Sequence, residues 1–123
     1  MQLITRVDVS DPGSCEVNAD CVLLLELDDG RRLPLLTDRG WGETQLWSQT
    51  TLAELEPVAR MVVGPDIPFG DLTEDDMAHG HWLTLARQAQ SQNVGVSAED
   101  LAKLPHRVEF THEVLHRVEG SPS

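Results

Sequence analysis

The sequence predicts an α+β fold: an N-terminal antiparallel β-meander packed against two or three helices, with an additional C-terminal strand. Three observations carry that expectation. Apolar residues alternate with period two near the N-terminus, an Asp-Gly turn at 29–30 joins two apolar runs, and capped helical stripes follow from Thr51 onward. The 123 residues are enough for one domain to enclose a core without metal or disulfide staples. That domain is expected to span residues 1–119, with Gly120-Ser121-Pro122-Ser123 as a flexible tail.

Taking the elements in order, Leu3, Thr5, Val7 and Val9 alternate with Ile4, Arg6 and Asp8, the pattern of a half-buried strand. Asp11-Pro12-Gly13-Ser14 is a turn, because Pro fixes φ and Gly admits positive φ. Cys21 to Leu27 is almost wholly apolar, as in a strand covered on both faces. It runs into Asp28-Asp29-Gly30-Arg31, where Asp-Gly predicts a two-residue hairpin, and Arg32 to Thr37 returns. Pro34 donates no ladder hydrogen bond, which places this strand at a sheet edge.

Residues 38–50 form the longest expected loop. It holds Trp41 and Trp47, and exposed Trp is a frequent hot-spot side chain, so both are candidate binding residues. The alternative has both rings folded back over the end of the core. Thr51-Leu52-Ala53-Glu54 has capping-box spacing and opens a helix whose stripe is Leu52, Leu55, Ala59 and Val62. Pro57 inside that stripe predicts a kink or a restart near Glu56. Gly64 to Gly70 is a Pro- and Gly-rich connection. A second helix starts at Thr73, carries Glu74, Asp75 and Asp76 in its first turn, and buries Ala78, Trp82, Leu85 and Ala89 before fading at Asn93-Val94-Gly95. Ser97 caps a third, short helix that Pro105 closes. The outline of 74–104 resembles a DNA-reading helix-turn-helix, yet Glu99 and Asp100 beside Lys103 would repel phosphate.

From His106 to Glu119 the even positions are His, Val, Phe, His, Val, His and Val, which predicts a strand around Val108. A rival reading ends that strand at Phe110, uses Thr111 as an N-cap and continues as a helix, with Phe110 and Leu115 as a hydrophobic staple. For residues 111–118 both readings stay open.

That choice governs the one motif with chemistry in it. His112-Glu113-Val114-Leu115-His116 matches H-E-x-x-H and resembles the motif of zincin metalloproteases over those five residues. The resemblance implies zinc held by His112 and His116, with Glu113 as general base on metal-bound water. On a helix the two Cβ atoms stand about 6 Å apart, whereas on a strand residues four apart are separated by about 13 Å. A third ligand would come from Glu119 downstream, or from His79 or His81 upstream. No phosphate-binding loop, dinucleotide fingerprint or nucleophile elbow is present.

Charge narrows the partners. Asp plus Glu number 21 against 9 Lys plus Arg, a formal charge of −12. Such a chain is a poor ligand for nucleic acid or an anionic membrane surface. No apolar run approaches a membrane span, no secretory leader is visible, and Cys15 and Cys21 read as reduced thiols, so a cytoplasmic location is expected. The acidity gathers at Glu26-Leu27-Asp28-Asp29 and at Asp71 to Asp76. Neither cluster has calcium-loop spacing, and Asp75 and Asp76 are candidates for steering a basic partner. The expected function is a non-enzymatic protein–protein interaction module of inhibitor or immunity type, without cofactor. It would bind a protein partner or self-associate through the Pro34 edge or the 106–119 segment. The alternative is a small zinc-dependent hydrolase using His112, Glu113 and His116.

Overall fold

In the computed structural model, which describes residues 1–118, four strands form one mixed sheet. They are β1 (Gln2–Val9), β2 (Glu16–Glu26), β3 (Arg32–Leu46) and β4 (His106–Phe110), ordered β3-β2-β1-β4. Helices α1 (Leu52–Val62), α2 (Glu74–Ser91) and α3 (Ala98–Lys103) lie between β3 and β4, and α4 (His112–Arg117) follows. The fold is α+β, and the three N-terminal strands make the expected antiparallel meander. β4 adds to it in parallel with β1, from Leu3 opposite His106 to Val7 opposite Phe110. Glu119 and the tail expected at 120–123 lie outside the described residues.

Leu3, Val7 and Val9 of β1 and Ala19, Cys21, Leu23 and Leu25 of β2 are buried on one face of the sheet. Leu55 and Ala59 of α1, Leu85 and Ala89 of α2, Leu101 of α3 and Val114 of α4 belong to the same core cluster. Local sequence explains where each helix begins. Thr51, Thr73 and Ser97 each accept the N–H of the third helical residue, which satisfies a donor that a helix start otherwise leaves unpaired.

Three expectations need correction, and one open alternative is decided. Residues 38–46 are not loop but the second half of β3, paired with β2 from Cys21 back to Glu16, so β2 also starts earlier than Cys21. Two glycines and several charged residues there break the alternation that marks a strand, yet an edge strand tolerates both. The Asp-Gly hairpin has three residues in its loop: Gly30, at φ 89°, donates to Leu27 O, and Leu27 donates to Arg31 O. Pro57 neither breaks nor restarts α1, which runs unbroken to Val62. Its missing bond would reach only Ala53, and buried Leu55 and Ala59 on either side hold the turn against the core. The strand reading of 111–118 also fails. β4 stops at Phe110, Thr111 donates its backbone N–H to Val7 O, and α4 begins.

Ile4 is fully buried although it points to the face opposite the main core, sharing that face with Leu24 and Arg107 in register. Arg32 explains the cover. Its guanidinium binds Glu26 on β2 at 3.0 Å and Glu109 on β4 at 3.1 Å, so it bridges the two strands that flank β1, on the face that carries Ile4. Gln2 and Arg32 hold the Glu26 carboxyl below its usual range, and Arg32 does the same to Glu109. Carboxylates with depressed folded values contribute stability that is complete above the unfolded value of about 4.3 and is lost as pH falls. An Arg32→Met variant, which keeps the apolar stem, should therefore show a lower urea midpoint than the parent at neutral pH. The two midpoints should converge below about pH 3, and a gap of equal size at both pH values would show that charge pairing is not the cause.

Candidate functional site

The connection between α1 and α2, residues 63–73, is anchored at both ends and open in the middle. At its root, Arg39 on the edge strand β3 donates to Asp66 Oδ1 at 3.0 Å and to Val62 O at 3.3 Å. At its far end a capping box opens α2: Asp76 accepts the Thr73 N–H at 2.9 Å and its own N–H donates to the Thr73 hydroxyl at 3.1 Å. These bonds from Thr73 hold the Asp76 carboxyl below the usual carboxylate range. Between the anchors, a turn closed by Leu72 N–H to Phe69 O at 3.2 Å presents apolar side chains outward. Ile67 is 87% exposed, Phe69 68% and Leu72 43%, and Met61 at the end of α1 is 71% exposed.

Two clefts flank this segment. One of about 500 Å³ runs between Ile67 and Pro68 on one side and Glu74, Asp75 and Ala78 on the other. The second, of about 410 Å³, is lined by Phe69, Leu72 and Met77 together with Arg39, Asp76 and His81. Burial, followed by the Arg39 charge, pushes the half-buried His81 imidazole toward its neutral form. Its Nε2 has no hydrogen-bond partner among the described residues. Between Arg60 and Arg87 the sequence has no Lys or Arg, while Asp66, Asp71, Glu74, Asp75 and Asp76 fall in that interval. The cleft beside Ile67, Glu74 and Asp75 therefore combines an apolar wall with negative charge, whereas Arg39 adds a cation to the lining of the second.

Of the residues singled out from the sequence, Asp75 and Asp76 belong to this site. Trp47 does not: it is 2% exposed, in a 3₁₀ turn between β3 and α1, and part of the core. Trp41 is half-buried on β3 and packs against the same core. Pro34 does lie on an edge strand, but its carbonyl accepts from Gln92 Nε2 of α2 at 2.9 Å, so that point of the edge is covered. Ile67, Phe69 and Leu72 escaped sequence reasoning because they sit in a Pro- and Gly-rich connection without periodicity. Their only signal is large apolar residues placed between acids where no element needs them.

The H-E-x-x-H segment has helical geometry. His112 and His116 are exposed, one turn apart on α4, with ring centroids 6.2 Å apart. Thr111 stands at the N-cap, but its hydroxyl donates to Asp8 Oδ1 at 2.8 Å instead of serving the helix, and Leu115 stays exposed. Glu113 is engaged by Arg117 at 2.8 Å. Among the described residues no group of three His, Cys, Asp or Glu side chains is placed to hold a metal ion, and Glu119 lies outside them. His79 is exposed on α2, and His81 lines the cleft described above. Cys15 is an exposed free thiol. Cys21 is buried, and burial with Asp20 beside it pushes its thiol up to about 12. Among the described residues no helix is long and apolar enough to cross a membrane. Comparison with family models, with curated proteins and with solved structures finds no match to this chain.

Proposed function

We propose that the chain is a non-enzymatic interaction module that captures a basic, apolar segment of a protein partner on the α1–α2 connection. One observation carries the reading: Ile67, Phe69 and Leu72 are each exposed in a short segment that also holds Asp71 and leads into Glu74 and Asp75, and these three carboxylates make no ion pair among the described residues. Contiguous exposed apolar side chains mark interaction sites, and unpaired carboxylates around them favour a cationic partner through faster encounter and correct register. The cleft between Ile67 and Asp75 suits a Lys or Arg side chain, with its stem along the apolar wall and its head at the carboxylates. An inhibitor- or immunity-type role fits this chemistry, since such proteins occupy a basic functional surface. A reducing, cytoplasmic setting fits the exposed free thiol of Cys15. The hydrolase alternative has no comparable support, because Glu113, its general base, is held by Arg117.

The test is fluorescence polarisation with a labelled amphipathic Lys/Leu peptide, a Glu/Leu peptide of the same length and a Lys/Ser peptide. Binding of the Lys/Leu peptide alone is expected, weakening about tenfold or more as salt is raised. Ile67→Ser/Phe69→Ser removes the apolar contact and keeps every charge, and Asp71→Asn/Glu74→Gln/Asp75→Asn does the reverse. Each should weaken binding about tenfold, consistent with losing one or more hot-spot contacts. Equal binding by the parent and both variants, or equal binding of the Lys/Ser peptide, would overturn the assignment.

A further inference from the structure

We propose that the exposed face of α4 is a two-imidazole site for a borderline divalent metal ion of the zinc, nickel or copper class. The site is separate from the α1–α2 connection and independent of the function assigned to it. His112 and His116 lie one helical turn apart with ring centroids 6.2 Å apart and planes 30° from parallel. A histidine nitrogen holds such an ion at about 2.0–2.1 Å, so two rings sharing one ion have centres about 4.5 Å apart at a right angle and about 5.2 Å apart at a tetrahedral angle. The observed 6.2 Å is about 1 Å longer, a gap within reach of two exposed side chains on one helical turn. Side-chain rotation alone can therefore bring both nitrogens onto one ion. Imidazole suits copper, nickel and zinc, whereas calcium and magnesium require oxygen ligands.

A helix of six residues does not persist on its own, so the spacing of the rings depends on what holds α4 in place. Two attachments do so. Val114, on the opposite side of the helix, is fully buried in the core. Arg117 donates to Pro12 O at 2.8 Å and Ser14 O at 3.1 Å, which ties the end of α4 to the β1–β2 turn. The same Arg117 pairs with Glu113, so the two charges nearest the imidazoles on α4 offset each other and leave the ring pair as the dominant ligand group. With the helix pre-formed, the second imidazole binds as an intramolecular ligand at high effective concentration, which strengthens binding by about 10²-fold over one ring. The remaining coordination positions fall to water or a small donor.

Isothermal titration of the purified chain with nickel tests this. One ion per chain is expected for the parent, with affinity falling about 100-fold in His112→Ala and in His116→Ala alike. Alanine is the best helix former and both positions are exposed, so the fold should survive, as checked by circular dichroism. His79→Ala should bind as the parent does, and magnesium should give no heat. Thermal melts supply a second readout: nickel should raise the midpoint of the parent and of His79→Ala but not of the two α4 variants. Absence of nickel binding by the parent, single variants that bind as tightly as the parent, or an equal loss in His79→Ala would each overturn the site.

Discussion

Trp47→Ala should lower the stability of the protein by about 3–5 kcal/mol, read as a shift in the urea midpoint by far-ultraviolet circular dichroism. The ring is 2% exposed and closes the end of the core where β3 passes through a 3₁₀ turn into α1. Its backbone N–H donates to Cys15 O at 3.0 Å, so the residue is fixed to the start of β2 as well. Removing the ring leaves a cavity that the sheet, tied along both β2 and β3, cannot collapse to fill. Trp47→Phe separates packing from polar chemistry. The indole Nε1 has no hydrogen-bond partner among the described residues, so Phe keeps most of the apolar contact and removes a buried orphan donor. Its cost should be about 1–2 kcal/mol, well below that of alanine, because only part of the indole volume is lost and the orphan donor goes with it. An alanine variant within about 1 kcal/mol of the parent would show that the ring is not part of the core.

What the sequence made legible, and what it hid, follows from the range of the interactions involved. Helix starts at Thr51, Thr73 and Ser97 were visible because a cap is decided within four residues. The Pro34 edge was visible because a missing donor is a local fact. The parallel pairing of β4 with β1 was not, since it joins residues about a hundred positions apart and depends on three intervening helices. Between Phe110 and Thr111 the alternation of the side chains continues while the backbone changes. Val114 and Val118 are buried in the helical arrangement too, so the burial pattern satisfies both readings and periodicity could not choose. The candidate docking segment was hidden for the opposite reason. Ile67 and Phe69 serve no core, so rules built on burial pass over them.

Gly40→Ala should destabilise the protein while Gly42→Ala, two residues along the same strand, should leave it unchanged or slightly more stable. A Cβ placed on Gly40 would stand 2.5 Å from the Ala19 carbonyl oxygen, a backbone atom of β2 that cannot rotate away. On Gly42 the nearest atom is Val17 O at 3.7 Å, an ordinary contact. Both substitutions restrict the unfolded chain equally, which favours the folded state by about 0.4–1 kcal/mol, so the difference between them isolates the close approach of β3 to β2. Overpacking against backbone costs about 1–3 kcal/mol, and the two midpoints should therefore differ by about that amount. The consequence reaches the proposed docking segment. Arg39 directly precedes Gly40, sits opposite Cys21 in register, and holds the root of the α1–α2 connection through Asp66 and Val62 O. Forcing β3 away from Ala19 moves that anchor. Gly40→Ala should accordingly raise amide exchange in residues 63–73 beyond what its global destabilisation accounts for, and weaken capture of the Lys/Leu peptide although no docking residue has changed. Equal midpoints for the two alanine variants would remove the close approach as a constraint. Unaltered exchange in 63–73 would uncouple the edge strand from the segment it is argued to hold.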